Sequence, residues 1–142
     1  RLFERVVEEA DATVPSQDHL PGETGAAWWR AGIRAFMVSF RTHRAVTLAA
    51  MASRPTSPEL RELWSTVMSK WVARVAEIIE MERARGAAPV TIGAADLSAS
   101  LNLMNERVMV ASLSAEQPGM PEEDSLDALV HIWVTSIYGQ LP

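Results

Sequence analysis

The stretch SPELRELWSTVMSKWVARVAEIIEMERARG, Ser57 to Gly86, decides the fold. Ser57 can cap a helix, Pro58 suits its first position, and Glu59 puts an acid where the helix dipole favours one. Arg83 and Arg85 bring basic residues to the far end, and Gly86 stands where a left-handed terminator is needed. Between these signals Trp64, Met68 and Trp71 recur at i, i+4 and i+7, on one side of a helix within roughly 10 Å along its axis. No period-two alternation competes. The segment is predicted as one long helix with an aromatic face.

Its neighbours are read outward from the eight prolines, which fall between or at the ends of periodic segments. Leu2 to about Val14 is an amphipathic helix, and the stretch from Pro15 to Gly25 is a loop. Thr24 is placed to cap a helix that runs to about His43, with Trp29, Ile33, Phe36 and Phe40 at i, i+4, i+7 and i+11. A short helix over 44–53 stops before Pro55. Beyond a turn at Pro89 to Gly93, a helix is expected from about Ala94 to Ala115. After Gln117-Pro118-Gly119 the last helix starts near Pro121, carries Glu122 and Glu123 in its first turn, and ends at Tyr138 before Gly139. The prediction is an all-α domain of six helices over residues 1–142.

Composition narrows the function. Hydrophobic residues make up 48% of the 142 and charged residues 22%, so a packed globular domain is expected rather than a disordered chain. The net charge of −5, with no dense basic stripe, argues against direct contact of these residues with nucleic acid. Absence of cysteine excludes disulfides, zinc–thiolate sites and a thiol nucleophile, and suits a reducing cytoplasm. The longest apolar run, 45–52 interrupted by Thr47, is far short of the ~20 residues of a membrane span. The chain opens on Arg1 directly in a helical pattern, which reads as a fragment whose N-terminal portion was removed.

Catalytic chemistry finds no support. His19, His43 and His131 are scattered, no Glu-x-x-His pair suggests a di-metal bundle, and no nucleophile elbow, phosphate loop or dinucleotide fingerprint occurs. No enzyme activity, metal or cofactor is expected. Glu77, Glu80 and Glu82 read as a solvated face pairing with Arg83 and Arg85. Glu106 and Arg107 read as local ion-pair or interface residues, and His131 as a packing or interface histidine.

Five tryptophans stand against three phenylalanines and one tyrosine. Each can remove about 150–250 Å² from water, very roughly 4–6 kcal/mol at about 25 cal/mol/Å². Converging rings mean an aromatic core or a cavity lined for a flat apolar guest, and spacing alone favours the core. Asn102 and Asn105, one turn apart with Met109 continuing their face, are mediocre helix formers in mid-helix. They either bond neighbouring backbone or offer orienting polar groups to a guest. The last helix has Leu126, Leu129, Val130, Trp133 and Ile137 on one stripe, while Ile132, Val134 and Tyr138 spill onto other faces. Such a helix needs more than one partner surface, so burial in an oligomer interface as well as in the fold's own core is expected.

Beyond these readings, residues 102–107 (NLMNER), Ala111-Ser112, Glu116-Gln117-Pro118 and residues 129–139 (LVHIWVTSIYG) closely resemble the C-terminal domain of a TetR-family transcriptional repressor. Leu63-Trp64-Ser65-Thr66, Lys70-Trp71, Glu82-Arg83, residues 86–89 (GAAP), Trp29-Arg30, Gly32-Ile33 and Arg5-Val6-Val7 fit the same branch, whose members control a flavin-dependent Baeyer–Villiger monooxygenase. The resemblance covers nearly the whole chain. It implies a homodimeric regulator with a helix-turn-helix domain that is absent here, so operator DNA is a partner only through that missing part.

The same resemblance implies a hydrophobic small-molecule tunnel lined by Trp29, Gly32, Ile33, Phe36, Phe40, Trp64, Met68, Trp71, Asn102, Asn105 and Trp133. To these the reading of the asparagine face adds Met109. The amides of Asn102 and Asn105 would bond a ligand carbonyl. The last two helices would pair across a two-fold axis as a four-helix bundle, with Leu113, Leu126, Val130, Val134, Ile137 and Tyr138 at the contact. Departures fall at Trp28, where the relative has Met, at Arg74, where it has an aromatic residue, and at Met109 and Val110. A guest in the tunnel would displace the first helix and shift the DNA-binding heads from the ~34 Å spacing of adjacent half-sites. Rival readings are a carrier of apolar molecules and a helical dimerisation module, neither with a DNA role.

Overall fold

The computed structural model describes residues 1–13 and 25–139. Among them are six helices and no strand: α1 (Leu2–Thr13), α2 (Gly25–Thr42), α3 (Arg44–Ser53), α4 (Pro58–Ala84), α5 (Ala94–Leu113) and α6 (Glu122–Tyr138). The expected loop before α2 and its Thr24 cap lie outside the described residues. No described helix is long and apolar enough to cross a membrane.

The helix ends follow local chemistry. Ser57 has extended backbone, and its Oγ accepts a bond from the Leu60 amide at 3.3 Å, with Pro58 opening α4. At the other end Gly86 adopts φ +80°. Its amide donates to Arg83 O at 3.1 Å and that of Ala87 to Glu82 O at 2.9 Å, the paired bonds of a Schellman terminus. Gly139 closes α6 with φ +76°. α5 stops at Leu113, two residues short of the expected Ala115. Arg107 on α5 holds the following turn by bonds of 3.0 and 2.9 Å to the carboxylate of Glu116.

α4 lies along α5, α1 on α2, and α6 packs between α2 and α5. The acids expected in the first turn of α6 also bind α2, Glu122 meeting Arg41 at 2.8 Å and Glu123 meeting Arg34 at 3.3 Å, and further along the helix Asp127 meets Arg30 at 2.7 Å. Because α6 has a helix on each flank, its apolar faces are consumed inside the chain. Leu113, Leu126, Val134 and Ile137, expected at a subunit contact, are only 9%, 3%, 2% and 0% exposed in the single chain. Val130 and Tyr138 are half-buried. The large apolar side chains that these two helices turn outward include Leu103, 58% exposed, and Ile132, 40% exposed.

Two carboxylates depart from or refine the sequence reading. Glu82 was expected on a solvated face, but it is 1% exposed and receives Arg85 Nε at 2.8 Å. The last turn of α4 is folded in against the end of α6, close enough for the Glu82 charge to act on Tyr138. Glu106 pairs with Arg54, the residue that follows α3.

The core divides in two. One cluster gathers Trp28, Trp29 and Ile33 of α2, Ile78 and Ile79 of α4, Leu97 and Leu101 of α5, and Leu129, Trp133 and Ile137 of α6. The second gathers Phe3, Val6, Val7 and Ala10 of α1 with Phe40, Ala50, Trp64, Val67, Met68, Trp71, Met109 and Leu113. Phe36, half-buried on α2, packs against both.

The cap at Ser57 anchors the helix that both clusters share. Ser57→Ala is expected to cost about 0.5–2 kcal/mol. Thermal unfolding followed by circular dichroism checks this, with a drop of roughly 2–4 °C in Tm for each kcal/mol lost.

Candidate functional site

A cavity of about 70 Å³ lies between the two clusters. Trp28, Trp29, Gly32, Ile33 and Phe36 of α2 form one wall, Trp71, Arg74, Val75 and Ile78 of α4 another, and Asn102, Asn105 and Trp133 close it from α5 and α6. The rings are set edge to face, the arrangement their quadrupoles favour. Trp28 and Trp29 are 4.8 Å apart at 88°, and Phe36 meets Trp71 at 5.5 Å and 85°. Trp29 and Trp133 tilt against each other at 5.3 Å.

Several polar groups in this lining have defined partners. The Trp133 Nε1 donates to Asn105 Oδ1 at 2.9 Å, a bond between residues that are 2% and 6% exposed. Asn102 Nδ2 donates to Ser98 O at 2.9 Å, and Ser98 Oγ donates in turn to Val72 O on α4 at 2.6 Å. Asn102 thus bonds nearby backbone, as one reading of the asparagines expected, whereas Asn105 bonds an indole, and both residues line the cavity. Trp29 Nε1 donates to the Tyr138 hydroxyl at 2.9 Å, and burial pushes that hydroxyl above its ordinary pKa.

Eight residues expected at a ligand site come together here: Trp29, Gly32, Ile33, Phe36, Trp71, Asn102, Asn105 and Trp133. Phe40, Trp64, Met68 and Met109 lie instead in the second cluster. There Trp64 packs on Phe40 at 5.8 Å and on Trp71 at 6.1 Å. The buried Trp64 Nε1 has no hydrogen-bond partner among the described residues. Sequence reasoning did not place Trp28, Arg74, Val75 and Ile78 in the lining. The available signal was spacing, since 71, 74, 75 and 78 form one face of α4.

Comparison with known proteins now fits this geometry. The family described as "Transcriptional regulator EthR, C-terminal domain" matches residues 29–139. The chain belongs to this family. The HTH-type transcriptional regulator EthR of Mycobacterium tuberculosis is 51% identical over 140 residues, which is 98% of this chain and 65% of that protein. The regulator of the same name from Mycolicibacterium smegmatis is 45% identical over 142 residues, 99% of this chain and 65% of its own length. The chain thus spans 65% of the curated relatives it matches.

In this EthR-type domain the cavity is tied to α1 through Trp71. Its Nε1 donates to Asp11 Oδ1 at 2.9 Å, while Lys70 Nζ reaches Oδ2 at 2.5 Å and Arg74 approaches Oδ1 at 3.5 Å. Burial alone would raise the Asp11 carboxyl. The bonds from Lys70 and Trp71 and the charges of Lys70 and Arg74 outweigh it and hold the group below its ordinary value. A carboxylate of the first helix therefore holds a wall of the cavity, in addition to the ring contact of Phe3 with Trp64 and the pair of Arg1 with Glu59.

Two outcomes follow from these bonds. Trp133→Phe keeps a ring in place but leaves Asn105 Oδ1 buried without its donor, and is expected to cost about 1–3 kcal/mol in urea denaturation. Asn105→Leu added to Trp133→Phe should recover part of that loss. Since the folded-state pKa of Asp11 is lowered, its contribution is present above the unfolded value and is lost as pH falls through the folded one. The Tm advantage of the unaltered chain over Asp11→Asn should accordingly hold at neutral pH and shrink below pH about 4.

Proposed function

We propose that this chain is the effector-binding and dimerisation part of a TetR-type transcriptional repressor acting in the cytoplasm. An apolar small molecule with a polar group enters between the two aromatic clusters, and the intact dimer then leaves its operator. The observation that carries this reading is the shared position of Trp71, whose ring lines the cavity while its Nε1 holds α1 through Asp11. Kinship with the named regulators supports the DNA role, which would belong to a helix-turn-helix part outside these residues. The regulated gene is proposed to encode a flavin-dependent monooxygenase, as in the branch of the family that the sequence resembles.

The cavity of about 70 Å³ holds a few waters, whereas drug-sized guests occupy about 300 Å³ or more. Binding must therefore part the clusters, and Phe36, which touches both, is the side chain in the way. Burying ~300 Å² of apolar guest offers roughly 7–8 kcal/mol gross, enough for a population shift after association costs. Parting the clusters displaces α1 and the first half of α4 relative to α5 and α6. The unpaired Trp64 N–H, deeper in the second cluster, offers a donor to a guest that extends so far. The dimer contact is proposed on the outward side of α5 and α6, where Leu103 and Ile132 are exposed.

Trp71→Ala in the full-length product of the gene tests the proposal. Fluorescence anisotropy on operator DNA should show retained DNA binding and at least about a tenfold weaker response to a hydrophobic amide such as 4-phenylbutanamide. Unchanged release in that variant would defeat the mechanism.

A further inference from the structure

One lining residue does not suit a purely apolar guest. Arg74 contributes a full positive charge to a cavity otherwise made of rings, aliphatic side chains and two amides, and its side chain is only 25% exposed. A guanidinium carries five N–H donors, and a charge withdrawn from water needs a partner. Among the described residues the ion-pair partner of Arg74 is Asp11, at 3.5 Å and without hydrogen-bond geometry. That carboxylate is already committed, with Oδ1 accepting from Trp71 and Oδ2 from Lys70. Glu77, one turn further along α4, is exposed to solvent.

Among the described residues the ion pairs at this corner set two cations, Lys70 and Arg74, against one anion, Asp11. The Lys70 side chain is 55% exposed and solvated, whereas Arg74, at 25%, has room for a further anionic partner at the less deeply buried edge of the cavity. Resting on the reading of the cavity as an effector site, we propose that the effector is an apolar monocarboxylate. Its carboxylate pairs with Arg74, and its body lies against Trp29, Trp71 and Trp133. A planar guanidinium matches a planar carboxylate by two parallel bonds, a geometry that no neutral carbonyl can use. One carboxylate also neutralises the corner, whereas a doubly charged phosphate would overshoot it and face Asp11. The guest would share Arg74 with α1, so that its charge acts on the residues that hold the first helix.

The test compares 4-phenylbutanoate with 4-phenylbutanamide, which share ring and chain and differ in the charged head. Binding to the 142-residue chain is measured at pH 7.4 by isothermal titration calorimetry and tryptophan emission. The acid should bind roughly tenfold tighter than the amide, with an advantage that falls as salt rises. In Arg74→Gln the ratio of the two affinities should collapse to about one, and Arg74→Lys should restore part of it. Arg74→Met, matched in length, serves if Arg74→Gln does not fold by circular dichroism. An amide that binds as tightly as the acid to the unaltered chain overturns the carboxylate proposal and leaves the cavity reading standing. An acid preference that survives loss of Arg74 overturns it as well. If neither compound binds or changes the emission, the cavity reading itself falls, and this proposal with it.

Discussion

Trp71 is the residue through which the rest of the structure is connected. Its ring forms part of the cavity wall and stacks edge-on against Phe36, while its indole N–H is satisfied by Asp11 of α1. A buried indole needs an acceptor, and Asp11 supplies one while drawing in Lys70. The carboxylate is in turn stabilised by the donors it organises, which is why its pKa is lowered despite burial. The first helix is held to α4 by this arrangement more than by backbone proximity. Any change that turns the Trp71 ring must also change the bond that fixes α1.

The core is divided into two clusters, and Trp71 stands where they meet. Here α1, α3 and the first half of α4 share one cluster, and α6 with the later part of α4 shares the other. The cavity lies at their junction, where Phe36 belongs to both. Of the polar groups around it, Asn105 is satisfied by Trp133 and Asn102 by Ser98.

Charge divides along the same line. Between α2 and α6 the arginines and carboxylates are exposed and matched, so they set register and contribute modestly. At the junction with α1, Asp11 and Arg74 are more withdrawn from water, at 23% and 25% exposure, and Asp11 takes bonds from an indole as well as a cation. The same residue types thus act as surface stitching in one place and as part of a half-buried network in the other.

Much of this molecule was legible from local chemistry. Ser57-Pro58 and Gly86 bound α4 because caps and positive-φ terminators act over a few residues, whatever the tertiary context. The period of Trp29, Ile33, Phe36 and Phe40 marked the inward face of α2 for the same reason. What the spacing could not decide was how inward residues are shared among cavity, core and subunit surface. Trp64 and Trp71 lie on one helical face, yet only Trp71 borders the cavity, because helix crossing sets which turn meets the gap. Leu126, Val134 and Ile137 looked available to a partner until α2 and α5 enclosed α6. Arg74 appeared in the sequence only as a departure from a relative. Its placement beside Asp11, sixty-three residues earlier in the chain, is a product of packing. The sequence by itself determined the helices and their buried faces, since those depend on neighbours within a turn or two. The tertiary structure decided which rings border the cavity and which charges meet beside it, since those depend on contacts between distant turns.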